Sequence, residues 1–150
     1  MVILTEDKIE RLITSRKIVL DDIEWESKSK RKPIMSFKVN VISDMEHMFE
    51  LTGYLNKVTM KISLTLKYED FPLITLDKGK HYNPENTDPP IVFEWHKHPQ
   101  TIEYGRDYAY DVNHEFNDNM TPREKVDQFF IENNLTFAPG KRYILLFCDY

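Results

Sequence analysis

Apolar and polar positions alternate without a break over residues 58–68, with Val58, Met60, Ile62, Leu64, Leu66 and Tyr68 set against Thr59, Lys61, Ser63, Thr65 and Lys67. Period two over that length predicts a strand with one buried and one wet face, the mark of an antiparallel sheet. The same alternation over residues 34–41 puts Met35, Phe37, Val39 and Val41 on one face. Residues 48–55 read as a less regular strand in which Gly53 marks a bulge, and residues 71–76 as another. Residues 91–98 and 104–112 read as the two strands of a hairpin joined by 99–103, and the nearly all-apolar end of the "KRYILLFC" run, residues 141–148, as a strand inside the sheet. Two segments carry helical signals. Thr5 as N-cap, Glu6 and Asp7 in the first turn, and Ile9, Leu12 and Ile13 on one face predict a helix over residues 6–16. Thr121-Pro122-Arg123-Glu124 is a capping box opening a helix with Val126, Phe129 and Phe130 as its stripe, ended by Asn133-Asn134. Residues 17–32 read as a connector that tacks Ile18, Leu20 and Trp25 onto the core. The expected architecture is one α+β domain over residues 1–150, a mainly antiparallel sheet of six to seven strands with both helices on one face.

Composition narrows the functional classes. A chain of 150 residues, 41% apolar and 30% charged, folds without staples. Its formal net charge of −5 removes the broad positive field of an unspecific nucleic-acid binder; the one dense basic run, Lys28-Ser29-Lys30-Arg31-Lys32, reads as solvated loop charge. Cys148 is the only cysteine and the start lacks a signal-peptide pattern, so a reducing cytoplasm is expected, with no membrane association. The two matches to the glycosylation sequon, at Asn119 and Asn134, then carry no meaning.

The chemistry concentrates in "EWHKHPQTIEYGRDYAY". On a strand, Glu94, His96 and His98 share one face, and the two imidazoles at i and i+2 lie roughly 6–7 Å apart, close enough to converge on one ion or one phosphate. The spacing from His96 and His98 to Glu103 resembles the first metal motif of cupins, with Pro90 where that motif has glycine and no second motif downstream. A metal would need His81, Asp77 or His114 to complete its shell. Without one, His96 and His98 could act as acid and base and Arg106 could hold negative charge, with Tyr104 and Tyr108 beside them. The plainest alternative leaves the histidines on the polar face of a surface hairpin and the tyrosines as cross-strand packing. The polar, proline-bearing loop over residues 77–90 decides between these readings, because the pair becomes a site only if His81-Tyr82-Asn83 folds over it. No P-loop, GxSxG, GxGxxG or CxxC is present.

The order of the "LTEDKIERLI" helix, "LITLD" (residues 73–77), "HYNPE" (81–85), "HKH" (96–98) and "YGRDYAY" (104–110) resembles a family of small prokaryotic and phage-borne proteins of unknown function. The resemblance covers residues 5–133, with Glu85 where the family has aspartate and the "KRYILLFCDY" end beyond it. It implies a site of His81, Asn83, His96, His98, Tyr104 and Arg106. A looser similarity is to TumE-type toxins of toxin–antitoxin pairs, which implies action on RNA or another cellular target and a protein partner, antitoxin or target. The functional expectation is a toxin-like or nuclease-like protein with no cofactor, a divalent metal being the variant of that reading. The rival is a non-catalytic inhibitor or regulator using its acidic surface. Sheet edges leave the oligomeric state open.

Overall fold

The computed structural model describes residues 3–27 and 33–150; the basic run Lys28-Ser29-Lys30-Arg31-Lys32 lies outside the described residues. Helix α1, Glu6–Thr14, opens where the Thr5 hydroxyl accepts from the Lys8 N–H, and ends short of Arg16 because Ser15 turns extended. The segment read as a connector supplies strands β1 (Lys17–Val19) and β2 (Glu26–Ser27). In β1 the buried residues are Lys17 and Val19, while Ile18 points outward; Ile23 and Trp25 complete the tacking. Strands β3 (Ile34–Ser43) and β4 (Met48–Asn56) then form the longest ladder of the sheet.

The expected strand over residues 58–68 is shorter at its start. Asn56 accepts the Val58 and Thr59 N–H groups on its Oδ1, and Met60 adopts a φ of 62°, so residues 57–60 are a hairpin turn whose apolar residues mimic the strand pattern. Strand β5 is Ile62–Tyr68 and β6 is Phe71–Lys78. Strands β7 (His81–Tyr82) and β8 (Ile91–Val92) form their own small antiparallel ladder, and β9 (Trp95–Pro99) returns to the main sheet. Strand β10 is Tyr110–Asp111, α2 is Pro122–Glu132 with the expected capping box and Asn133 as its C-cap, and β11 is Leu135–Phe137. The main sheet has the order β10-β9-β6-β5-β4-β3-β1-β11, with β2 paired to β3; every pairing is antiparallel except β1 with β11. The surplus over six or seven strands consists of two- and three-residue edge pieces, too short to show a period.

Leu12 of α1 and Val126, Phe129 and Phe130 of α2 join one core with Val39, Leu51, Leu64 and Leu76, so both helices cover the same face. The C-terminal run is not an interior strand. β11 already takes the free side of β1, so residues 141–146 have a single residue to pair with: Ile23 donates to the Arg142 carbonyl and Ile144 donates back to Ile23. The chain then ends in a 3₁₀ turn, Phe147–Asp149, with Phe147 exposed and Cys148 half-buried.

Gly53 is not a bulge. Pairing runs straight through Phe37, Gly53 and Leu64, and the register shift falls between Leu66 and Lys67 instead. Glycine is required because a Cβ there would lie 2.2 Å from the Phe37 ring, which is itself held edge-on to Trp25 at 4.7 Å. Gly53→Ala should therefore lower stability by about 1–3 kcal/mol, the usual range for overpacking, and Phe37→Leu in the same chain should recover part of it. Urea titration measures both; an alanine variant as stable as wild type would mean the ring yields freely.

The Lys17 ammonium is buried among carbonyls at the ends of both helices, donating to Ile13 O at 2.5 Å, Ser15 O at 2.8 Å and Asn133 O at 2.8 Å. Burial pulls its pKa down from 10.5 to about 8. Between those two values the unfolded chain binds the extra proton, so this group's contribution to stability rises with pH across that window. The stability difference between wild type and Lys17→Met, which leaves carbonyls unpaired at a cost of about 1–3 kcal/mol each when buried, should widen from neutral pH toward pH 10.5. A difference flat in pH would mean that the ammonium keeps its ordinary affinity for the proton.

Candidate functional site

Antiparallel register decides which side chains share a face, since residues directly opposite each other project to the same side. Across the middle of the sheet Lys38, Thr52, Thr65, Thr75 and His98 stand in one row, and Asp77, His96 and Asp111 stand in the next. Both rows lie on the face that the helices leave uncovered. Trp95 and Lys97 point the other way, where the buried Lys97 ammonium pairs with Glu132 under the Phe116 and Phe129 rings.

Glu94 does not share the histidine face. It adopts a φ of 61°, a left-handed turn that separates β8 from β9. The turn aims the Glu94 carbonyl so that it accepts from both the Gly79 N–H at 2.8 Å and His96 Nδ1 at 3.0 Å, while the carboxylate pairs with Lys78. Breaking the strand here also frees Ile91–Val92 to pair with His81–Tyr82, and that ladder carries His81 over the main sheet.

The loop does fold onto the pair. The His81 ring centroid lies 4.5 Å from that of His98 and 5.8 Å from that of His96, and His96 and His98 are 4.9 Å apart. Each ring has one nitrogen tied to a main-chain carbonyl: His81 Nε2 to Asp107 at 2.7 Å, His96 Nδ1 to Glu94, and His98 Nδ1 to Arg106 at 2.9 Å. A carbonyl only accepts, so those nitrogens carry protons, and in a neutral ring the opposite nitrogen, His81 Nδ1, His96 Nε2 or His98 Nε2, presents a lone pair. Arg106 reaches back along the row and donates from Nη2 to the Thr75 hydroxyl at 2.8 Å, which also bonds Thr65. The arrangement holds three imidazoles and a guanidinium on one patch.

Loss of water on burial lowers the pKa of His96 and His98 below the ordinary imidazole value. At both rings a main-chain carbonyl, that of Glu94 for His96 and that of Arg106 for His98, and the Asp77 carboxylate oppose this, and at both a neighbouring imidazole reinforces it. Both rings are therefore neutral at neutral pH.

The other expected residues have different work. Asn83 donates to the Pro89 and Ala109 carbonyls and accepts from the Ala109 N–H, fastening the loop to the hairpin rather than facing a ligand. The Tyr108 hydroxyl donates to the Asp88 carbonyl, and Tyr104, 6.4 Å from it, has its hydroxyl pKa raised by a hydrogen bond with Glu103. Glu103 is exposed and His114 lies in an exposed turn. The return strand of the hairpin shrinks to Tyr110–Asp111, because residues 101–109 are mostly turns, and its register puts Tyr110 opposite Lys97, on the helix-covered side. Among the described residues no group of three histidine, cysteine or carboxylate side chains is arranged to hold a metal ion. Thr75 and Lys61 escaped sequence reasoning. Lys61 pairs with Asp77 at 3.5 Å, and only the sheet register could have brought either to the cluster.

Lowered folded-state pKa values mean that the unfolded chain binds more protons just below pH 6.5. This part of the stability is therefore present above 6.5 and is lost as pH falls. Taken from about pH 7.5 to about pH 5, wild type should lose more stability than a His96→Gln/His98→Gln variant in urea titrations. Equal losses would show the rings to be as hydrated as in a free peptide.

No helix among the described residues is long and apolar enough to cross a membrane. No curated protein and no solved structure is found similar to the chain. A family model does match, that of a family of unknown function, DUF6978, over residues 4–135, a span that takes in the helix α1, the loop bearing His81, the HKH strand and all of α2. The chain belongs to this family.

Proposed function

We propose that the histidine cluster performs metal-independent acid–base chemistry on an RNA phosphodiester, making this a nuclease-like and toxin-like protein of a mobile or defence locus. The observation that carries the reading is the convergence of three imidazoles, each with its tautomer set by a main-chain carbonyl, beside the Arg106 guanidinium. His98, in the same row as Thr75 and beside Arg106, takes the proton from a ribose 2′-hydroxyl. That oxygen attacks phosphorus, the bond from phosphorus to the 5′-oxygen breaks, and His96, acting in its imidazolium form, gives the proton on Nε2 to the leaving oxygen. The products are a 2′,3′-cyclic phosphate and a free 5′-hydroxyl. Arg106 holds the charged phosphate oxygens through the transition state, and His81 closes the patch from above. In a cell such an activity is checked by a protein partner, in the manner of the TumE-type toxins that the sequence loosely resembles.

The test is cleavage of RNA by purified protein in the presence of a chelator, together with growth arrest on expression. Positioned acid–base groups contribute about 10²–10⁴-fold, so His96→Ala/His98→Ala should lose that much in kcat and abolish arrest. Arg106→Ala should lose kcat while keeping the pH profile, whose optimum lies on the acid side of 6.5 because both imidazoles are desolvated. Cleavage that survives in the double histidine variant, or a wild type that cleaves nothing, overturns the proposal.

A further inference from the structure

The two flanks of α1 differ in charge. Glu6, Ile9, Glu10, Ile13 and Thr14 recur at helical spacing and fall on one flank. That flank faces Pro99, Gln100 and Thr101, where the chain leaves β9, and the space between is a groove of about 330 Å³. Ile9, Ile13 and Pro99 supply its apolar lining, while the exposed Glu6, Glu10 and Thr14 stand at its margin. A second hollow of about 380 Å³ shares Glu6 and adds Leu4, Asp7 and Ile102, which is 55% exposed. Among the described residues no lysine or arginine lines either hollow, and none pairs with Glu6, Asp7 or Glu10. The basic residues of the helix lie on its other flank, Lys8 and Arg11 beside Met45 and His47, with the Lys8 ammonium over the Tyr68 ring at 5.6 Å.

We infer that this flank of α1 is a docking surface for a partner protein, and that its occupant is an amphipathic helix whose apolar stripe is bordered by Lys or Arg. An apolar groove beside a helix is what the apolar face of a second helix covers, removing both surfaces from water. Charge selects the kind of helix. Carboxylates that pair with nothing on their own chain are met by the bordering cations of the partner, and a net charge of −5 draws a cationic partner in from a distance. The same charge repels RNA, an anionic membrane and a second copy of this chain, which brings the same carboxylates to the contact. The surface needs no chemistry at the histidines, so the inference stands apart from the RNA-directed reading. It also places the partner near them. Pro99 directly follows His98, and Thr101 is bonded to Gly105 just before Arg106, so an occupant of the groove rests on the turn that links His98 to Arg106.

The probe is a fluorescein-labelled, alanine-based helical peptide of about 18 residues with a leucine stripe flanked by lysines, alongside a counterpart with glutamate for each lysine. Anisotropy on the full chain should show binding of the lysine peptide, weakening with salt, and none of the glutamate peptide. Glu6→Gln/Glu10→Gln should weaken binding about tenfold, the scale of losing an anchoring contact. Thr14→Lys, which sets a cation at the margin of the groove on an exposed residue and disturbs no packing, should weaken it as much. Glu24→Gln/Glu85→Gln removes the same charge from exposed residues elsewhere and should keep the wild-type affinity. Equal weakening by the two double variants, or equal binding of the two peptides, shows unspecific attraction and overturns the docking surface, as does a lysine peptide that does not bind. A wild-type chain that sediments as a dimer, and as a monomer once Thr14→Lys is made, gives the groove to a second copy and overturns the partner helix.

Discussion

The candidate site depends on one side-chain amide. Asn83 has two donors and an acceptor, and all are engaged by main-chain groups of two distant segments, Pro89 within its own loop and Ala109 on the far arm of the hairpin. A buried or half-buried amide so engaged is costly to displace, because each freed group would lose its partner where water reaches it poorly. The consequence is geometrical. Fastening Asn83 fixes Tyr82 and His81 behind it, and the His81 ring then has only the face of His96 and His98 to lie on. The main-chain carbonyls of Asp107 and Arg106, held by the same hairpin arm, receive the His81 and His98 protons. One clasp thus sets both the position of the third imidazole and the tautomers of two of the rings.

The two faces of the sheet handle charge in opposite ways. Among the described residues three lysines are buried on the helix side, and each has a different remedy. Lys17 gives its protons to helix-terminal carbonyls, where the helix dipole favours a cation. Lys97 pairs with Glu132 beneath two phenylalanine rings. The Lys125 ammonium lies over the Trp95 ring at 4.7 Å, and its pKa is lowered by burial. On the open face the charged pairs are partly hydrated, and the two histidines whose pKa burial lowers, His96 and His98, can shed their charge at little cost. The dry face locks the helices onto the sheet, and the open face keeps its titratable groups near the pH range where they exchange protons.

Much of this was legible in the chain, and the failures have physical causes. The alternation of Met35, Phe37, Val39 and Val41 reports burial directly, as does the capping box at Thr121. Val58 and Met60 continue the alternation of β5 but belong to a turn, because a turn stabilised by Asn56 does not require its apolar residues to be buried; Val58 is 78% exposed. Gly53 gave a correct signal of a special position with the wrong cause, since a strand glycine answers equally to a bulge or to a ring pressed on the backbone. The run from Lys141 to Cys148 looks buried from its apolarity alone, whereas its place in the sheet depends on whether β1 has a free edge. The shared face of His96 and His98 followed from period two. The removal of Glu94 from that face rests on a left-handed backbone at a residue type that gives no warning of it, and the arrival of Thr75 beside His98 rests on register, which no local pattern encodes.

The electrostatics of the cluster carry a further consequence for the proposed chemistry. In an acidic molecule a histidine is ordinarily drawn toward its charged form, and Asp77 acts on His96 and His98 in that sense. Loss of water outweighs it at both rings, so His96 and His98 are neutral at neutral pH, with Arg106 as the permanent cation beside them. A phosphodiester entering such a patch brings a negative charge into a region of low dielectric, where it favours imidazolium far more than it would in bulk water. On the proposed reading, the substrate's own charge therefore raises the proton affinity of the ring that must act as acid. The division of labour between two chemically identical side chains then comes from position, with His98 in the row of Thr75, which Arg106 engages, and His96 directly opposite Asp77.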